Sequence, residues 1–280
     1  MDASADLRSC GVDHNGGPVK IVQITDCHLG DLPGTALLGM DTDHSLQCVV
    51  NLVKEERGHI DLLLGTGDLS DQGANAAYHR LKEYFGQLTQ HSFWLPGNHD
   101  AREELTAVCE GTRHFANEVL VSGWQIILLD SQIPGEVGGE LGAHQLTLLE
   151  QCLVRAAAAG LHTLICMHHQ PVAVGSAWID EQMVADADEF FKLIGQHSCV
   201  KGIVWGHVHQ QIDGDWQGIA LLATPSSCVQ FAPGAVEFKV DDQAPGYRWL
   251  DLHADGTIQT GVSRVHGVAF SVELDSGGYL

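Results

Sequence analysis

A chain of 280 residues, 44% hydrophobic and 18% charged, carries enough apolar material for a large core and suits one domain or two. Its 14 Lys and Arg stand against 36 Asp and Glu, a formal net charge of -22. Such a surface repels polyanions, which excludes polymeric nucleic acid and an anionic membrane as partners.

Residues 1–17 are polar and read as a loose arm, with no apolar stretch behind a basic head that would mark a secretion signal. VKIVQIT, residues 19–25, predicts a first strand. Residues 43–57 predict a helix with Leu46, Val49, Val50 and Val53 on one face and Asp43 as its cap. Residues 60–64 and 91–95 predict two further strands, with a helix between them carrying Tyr78, Leu81, Tyr84 and Phe85. A strand over 124–130 precedes a helix over 143–159 that Gly160 stops. Strands follow at 161–167, 200–205 and 219–223. Residues 225–247 read as an ordered loop, and 248–253 with 257–262 as a late hairpin near the site. Strands alternating with helices predict an α/β fold with buried, largely parallel strands, mixed towards the end. No apolar run is long enough to span a bilayer. The eight cysteines form no C-x-x-C pair, which predicts reduced, mostly buried thiols in a cytoplasmic protein.

Residues suited to metals stand at the C-terminal ends of successive predicted strands, where open α/β folds place their sites. Asp26 and His28 follow the first in ITDCHLG. Asp68 follows the second in GTGDLSDQG. Asn98, His99 and Asp100 follow the third in LPGNHD. His168 and His169 follow LICM, and His207 and His209 follow IVW. On an extended backbone, residues i and i+2 face the same side, so Asp26 with His28, and His207 with His209, can aim at one centre. Cys27 and Val208 then point away. The same alternation admits only one of the adjacent His168 and His169, and selects His168. Gly67, Gly97 and Gly206 each precede a ligand position and permit close backbone approach. Carboxylate, amide and imidazole without thiolate favour Fe, Mn or Zn. Seven such ligands exceed one tetrahedral zinc and suit two divalent ions roughly 3.5–4 Å apart.

The blocks D-x-H, GD-x-x-D, GNHD, a later His and GH-x-H, in that order, resemble the calcineurin-like metallophosphoesterases. LLGMDTDHS, LLDSQIPG, LLATPSSCVQF and APGYRWLDLHADG extend the likeness over nearly the whole chain, to the bacterial class III 3′,5′-cyclic-AMP phosphodiesterases. Gln170 departs from it, standing where many relatives have proline after the paired histidines. The resemblance implies two packed mixed β-sheets flanked by α-helices, a four-layer sandwich. It implies Asp26, His28, Asp68 and His209 on one ion and Asp68, Asn98, His168 and His207 on the other, with Asp68 bridging. It implies His99 as the proton donor to the leaving oxygen, with Asp71 hydrogen-bonding and orienting it, and Asn98 and His99 meeting the substrate. The implied reaction is attack of a metal-bridging hydroxide on 3′,5′-cyclic AMP, yielding 5′-AMP and lowering the cellular level of the cyclic nucleotide. Ligands that run from residue 26 to 209 imply a single domain over 1–280.

The same metal core would serve a glycerophosphodiester or a 2′,3′-cyclic nucleotide. A phosphoprotein phosphatase would resemble GD-x-x-DRG, but Gln72 stands where that arginine grips a dianion, which favours a diester. Asp31, Asp61 and Asp130 read as turn or cap residues. His59, His79, His91, His162 and His197 read as ordinary core or surface histidines, and His44, His144 and Trp178 either line the substrate cleft or, the preferred reading, lie at the surface. Asp100 is either an outer partner of the ligands or the cap of a helix over 102–110.

Overall fold

The computed structural model describes residues 7–278. In chain order the strands are β1 (Ser9–Gly11), β2 (Val19–Ile24), β3 (Ala36–Leu37), β4 (Met40–Asp41), β5 (Leu62–Thr66), β6 (Ser92–Leu95), β7 (Glu118–Val121), β8 (Trp124–Leu128), β9 (His162–Cys166), β10 (Val200–Trp205), β11 (Ile212–Trp216), β12 (Ile219–Ala223), β13 (Gln230–Phe231), β14 (Val240–Asp241), β15 (Gly246–Leu252) and β16 (Ile258–Arg264). The helices are α1 (Thr42–Arg57), α2 (Asn75–Gly86), α3 (Arg102–Cys109), α4 (Gly142–Ala159), α5 (Ala177–Asp180) and α6 (Ala187–Ile194).

Five strands form one sheet in the order β16-β15-β2-β5-β6, and seven form another in the order β1-β7-β8-β9-β10-β12-β11. The central strands β2, β5 and β6, and β8, β9, β10 and β12, run parallel. Antiparallel neighbours lie towards the margins, where β15 pairs β2 and β16, β7 pairs β8, and β11 pairs β12. Alternation sorts each buried strand between two cores. Val19 and Ile21 of β2 join Leu62, Leu64, Ile126, Leu164, Val204 and Leu222 between the sheets. Val22 and Ile24 face outward to Leu46, Val49 and Val53 of α1 and Tyr78, Leu81 and Phe85 of α2. On the far side, α4 and α6 cover Ile127, Ile165 and Ile203. The layers are therefore helix, sheet, sheet, helix, the expected four-layer sandwich.

A polar strut crosses the apolar space between the sheets. Gln23 of β2 donates to Thr66 Oγ1 at 2.8 Å and to the Trp205 carbonyl of β10 at 3.2 Å, and accepts from Thr224 Oγ1 at 2.5 Å. It ties the two sheets directly below the loops that carry the candidate ligands.

Three local expectations need correction. The cap of α1 is Asp41, whose carboxylate accepts from His44 N at 2.9 Å, while Asp43 in the first turn pairs with Arg80 at 3.0 Å. The loose arm ends by Ser9, because β1 pairs in parallel with β7; residues 1–6 of that arm lie outside the described residues. The 225–247 loop contains the short β13–β14 pair and the start of β15.

Candidate metal centre and active site

Five of the nine candidate site residues come from the loops after β2, β5 and β6, together with Asp71 beside them. His168, His207 and His209 come from the loops after β9 and β10. The site thus forms where the ends of the two sheets meet.

The donor atoms converge at coordination spacing. Around a metal with bonds of about 2.1 Å, neighbouring ligand atoms stand roughly 3–3.5 Å apart. His28 Nε2 and His209 Nε2 are 3.2 Å apart, and His209 Nε2 is 3.3 Å from Asp26 Oδ1. His168 Nε2 is 3.2 Å from both Asp68 Oδ2 and Asn98 Oδ1. Asp68 Oδ2 also lies 3.8 Å from His28 Nε2, so one oxygen faces both groups. His207 Nε2 and His169 Nε2 are buried without a hydrogen-bond partner among the described residues. Orphaned buried nitrogens of this kind are what a cation would satisfy. The donor set and its spacing fit two divalent ions.

Main-chain carbonyls aim the rings. His168 Nδ1 donates to the Thr66 carbonyl and His209 Nδ1 to the Val229 carbonyl, each at 2.8 Å, which turns Nε2 of each towards the centre. Burial opposes charge on Asp26 and Asp68, yet His209 beside the first and His168 beside the second hold both carboxyls below their usual range. Burial likewise opposes charge on His168, but Asp68 pushes it up to about 9. Burial, with His169 and His168 alongside, pulls His207 well down. Both carboxylates are therefore ionised and ready to bind a cation.

The chain does not reach this geometry by extended strands. Asp26, His28, Asp68, His207 and His209 have φ of 53, 47, 47, 63 and 48°. They are five of the eight non-glycine residues with positive φ among the described residues. Convergence at i and i+2 comes from these left-handed turns, which Asp and His tolerate better than most residues. Cys27 still faces away: it is buried in the helix-side core, where burial pushes its thiol pKa up.

The same departure undoes the alternation argument for the paired histidines. The chain bends after β9, and the rings of His168 and His169 meet edge to face at 4.8 Å, with His207 close to both. His169 Nδ1 bonds Ser131 Oγ at 2.8 Å. His168 remains the ring that reaches Asp68 and Asn98, and His169 joins it and His207 in a group whose nitrogens lie within 4.8 Å of one another.

His99 also differs from expectation. Its Nδ1 donates to the main-chain carbonyl of Asp71 at 3.0 Å. The Asp71 carboxylate stands 3.6 Å from that nitrogen and 3.4 Å from His28 Nδ1, shared between two imidazoles. Since a carbonyl only accepts, Nδ1 carries a proton and Nε2 is the nitrogen available for chemistry.

Asp100 is no helix cap; Ala101 occupies that position. The buried Asp100 carboxylate accepts from Leu69 N, Ser70 N and Gly97 N at 3.2, 3.0 and 2.9 Å, and from Tyr78 Oη at 2.9 Å. It staples the Asp68 loop to the Asn98–His99 loop. TPSSCVQF buttresses the opposite side. Ser226 Oγ donates to the Asp26 carbonyl at 2.7 Å, and the Phe231 ring stacks on His209 at 4.0 Å. Those supports carry no ligand chemistry, so nothing in their residue types marks them in advance.

Gly97 is required by close approach. A Cβ there would lie 2.2 Å from Asp68 Oδ1 and 2.4 Å from Asp68 N. Gly97→Ala must push the Asp68 carboxylate aside, and metal affinity is expected to fall about 10–100-fold, the usual cost of disturbing what orients a ligand. Titration with Mn²⁺ measures this; unchanged affinity would show that Asp68 is not held from this side.

Comparison with known proteins adds to this geometry. Residues 19–211 match the calcineurin-like phosphoesterase family. The chain is 43% identical over 261 residues to the 3′,5′-cyclic adenosine monophosphate phosphodiesterase CpdA of Pseudomonas aeruginosa, covering 93% of this chain and 95% of that one. It is 41% identical over 263 residues to the protein of that name from Escherichia coli strain K12, with the same coverage. Among solved structures, a dimetal phosphatase from Danio rerio superposes with a TM-score of 0.59 at 16% identity, covering 89% of this chain and 99% of that one. At that identity the likeness is one of fold.

Proposed function

The chain belongs to the calcineurin-like phosphoesterase family, and we propose that it hydrolyses 3′,5′-cyclic AMP to 5′-AMP and so lowers the cellular level of the cyclic nucleotide. The observation that carries this reading is 43% identity, sustained over 93% of the chain, to a relative named for that reaction.

The family uses a dimetal site, and this chain has the His and Asp groupings to bind metals. Two bound divalent ions would polarise the phosphate oxygens and lower the pKa of a water enough for attack near neutral pH. We assign Fe or Mn to them, with Zn admitted by the same donors. Asp26, His28 and His209 would share Asp68 with Asn98, His168 and His207. The spacing of Asp68 Oδ2 from both groups supports that division. With Nδ1–H held by the Asp71 carbonyl, His99 would take a second proton on Nε2 and, as the imidazolium, deliver it to the departing 3′ oxygen. Asn98 would meet the substrate phosphate alongside it. Asp100 keeps the loops of Asp68 and His99 in register.

The whole chain is read as one domain, because its candidate ligands come from both sheets. No described helix is long and apolar enough to cross a membrane. The reading takes a small-molecule substrate and, from the charge of -22 and the thiol usage, a cytoplasmic protein without polymeric nucleic acid as partner. Metal-loaded protein is expected to release 5′-AMP from 3′,5′-cyclic AMP at least about tenfold faster than it cleaves 2′,3′-cyclic AMP, glycerophosphodiesters or phosphoserine peptides. Product chromatography on that panel decides. A faster rate on another diester would move the substrate, and a comparable phosphoserine rate would make the protein a phosphatase.

A further inference from the structure

One cavity of about 340 Å³, within the size range of small-molecule sites, joins Asn98 and His99 to Trp178, Phe238, Val137 and Gln182. The aromatic part of this lining is a built cluster. Trp178 meets Phe238 at 5.1 Å and Phe231 at 5.2 Å, both edge to face, and Phe231 in turn stacks on His209. Trp178 is half-buried beside the candidate metal centre, in the cleft placement rather than the preferred surface one.

The short helix α5 that carries Trp178 is tied down on all sides. Buried Gln170 donates to the Ile179 carbonyl at 2.7 Å, so the residue that departs from the family pattern has a structural task. The Asp180 carboxylate accepts from Val174 N and Gly175 N at 2.7 and 3.0 Å. Gln210, next to His209, donates to Ser176 Oγ at 3.2 Å. Rings held this firmly lose little freedom when a planar ligand stacks on them. Gln182, by contrast, makes no side-chain hydrogen bond among the described residues, although it is half-buried and lines the cavity.

We propose that Trp178, Phe238 and Gln182 form the base subsite of the active site, with the rings stacking on a purine and the Gln182 amide reading its edge. The proposal rests on the cyclic-nucleotide reading of the site. An amide offers one acceptor and one donor. It matches the N6 donor and N7 acceptor of adenine, whereas guanine presents two acceptors at that edge. Gln182 therefore selects adenine over guanine, and Trp178 with Phe238 selects a nucleotide over a bare sugar phosphate.

Calorimetric binding of 5′-AMP, 5′-GMP and ribose 5-phosphate to metal-loaded protein tests this without requiring turnover. The wild type is expected to bind 5′-AMP about 5- to 150-fold more tightly than ribose 5-phosphate, the range for stacking one base. Trp178→Leu should bring that ratio towards one. Gln182→Ala, a milder change to a side chain without hydrogen-bond partners among the described residues, should remove most of the preference for 5′-AMP over 5′-GMP. Equal binding of 5′-AMP and ribose 5-phosphate by the wild type, or ratios unchanged in both variants, would overturn the subsite. Cyclic AMP hydrolysis by the wild type is measured beside it. Hydrolysis with base-independent binding sinks the subsite and leaves the reaction standing. Base-dependent, Trp178-dependent binding without hydrolysis sinks the reaction and supports the subsite.

Discussion

Asp68→Ala is expected to strip metal from both halves of the site at once and to lower cyclic AMP hydrolysis by more than about 10²-fold, beyond the cost of disturbing an outer partner of a ligand. Its Oδ2 faces His168 Nε2 at 3.2 Å and His28 Nε2 at 3.8 Å, one from each group. Its Oδ1 accepts from His99 N at 2.9 Å, so the loop carrying the proposed proton donor also depends on it. Asp26→Ala, which removes a carboxylate 3.3 Å from His209 Nε2, should weaken mainly one ion. Elemental analysis of the purified variants distinguishes the two cases. Two full equivalents retained in Asp68→Ala would remove it as the bridge.

Removal of the His99 imidazole should slow hydrolysis of 3′,5′-cyclic AMP about 10²–10⁴-fold, the range for general acid catalysis, with both ions still bound. A sugar alkoxide is a strong base and needs a proton to leave; a nitrophenolate does not. The bis-nitrophenyl diester should therefore lose far less rate in His99→Ala. Asp71→Asn should be milder than a side-chain hydrogen bond would predict. The main-chain carbonyl of Asp71 holds His99 Nδ1 and survives the substitution, while the carboxylate stands 3.6 Å away. Both rates and the metal content are measured on each variant. Equal losses on the two diesters, or a lost ion in His99→Ala, would make His99 a ligand or a phosphate-binding group instead.

Much of the frame was legible because burial on both faces writes continuous apolar runs, as in β5 and β10, and because metal chemistry restricts residue types at the strand ends. What the period of two could not supply was the backbone beyond those ends. Asp26, His28, Asp68, His207 and His209 all turn through positive φ, so their convergence has a different cause from the one alternation offers. The bend after β9 likewise kept alternation from separating His168 from His169, whose rings meet. Asp100 was ambiguous because a carboxylate that caps a helix and one that staples two loops look alike until the loops are adjacent. Strands β7 and β11 were missed: β11 is half-exposed and reads IDGDW, without apolar periodicity. The aromatic wall of Trp178, Phe231 and Phe238 draws on α5 and on the β13–β14 segment, roughly fifty residues apart in sequence, and no local pattern joins them.

The Gln23 strut has a kinetic consequence. The sheets meet at a seam, and the donors for each proposed ion come from both sides of it. Neither sheet alone can grip an ion fully, so docking must come first, guided by apolar contact and by Gln23 reaching Trp205 and Thr224. Ions that arrive afterwards act as a clasp. Ions that bind only after closure would slow unfolding without speeding folding. The persistence of the closed molecule would then follow the supply of free metal, and a cell starved of metal would lose this enzyme by opening along the seam.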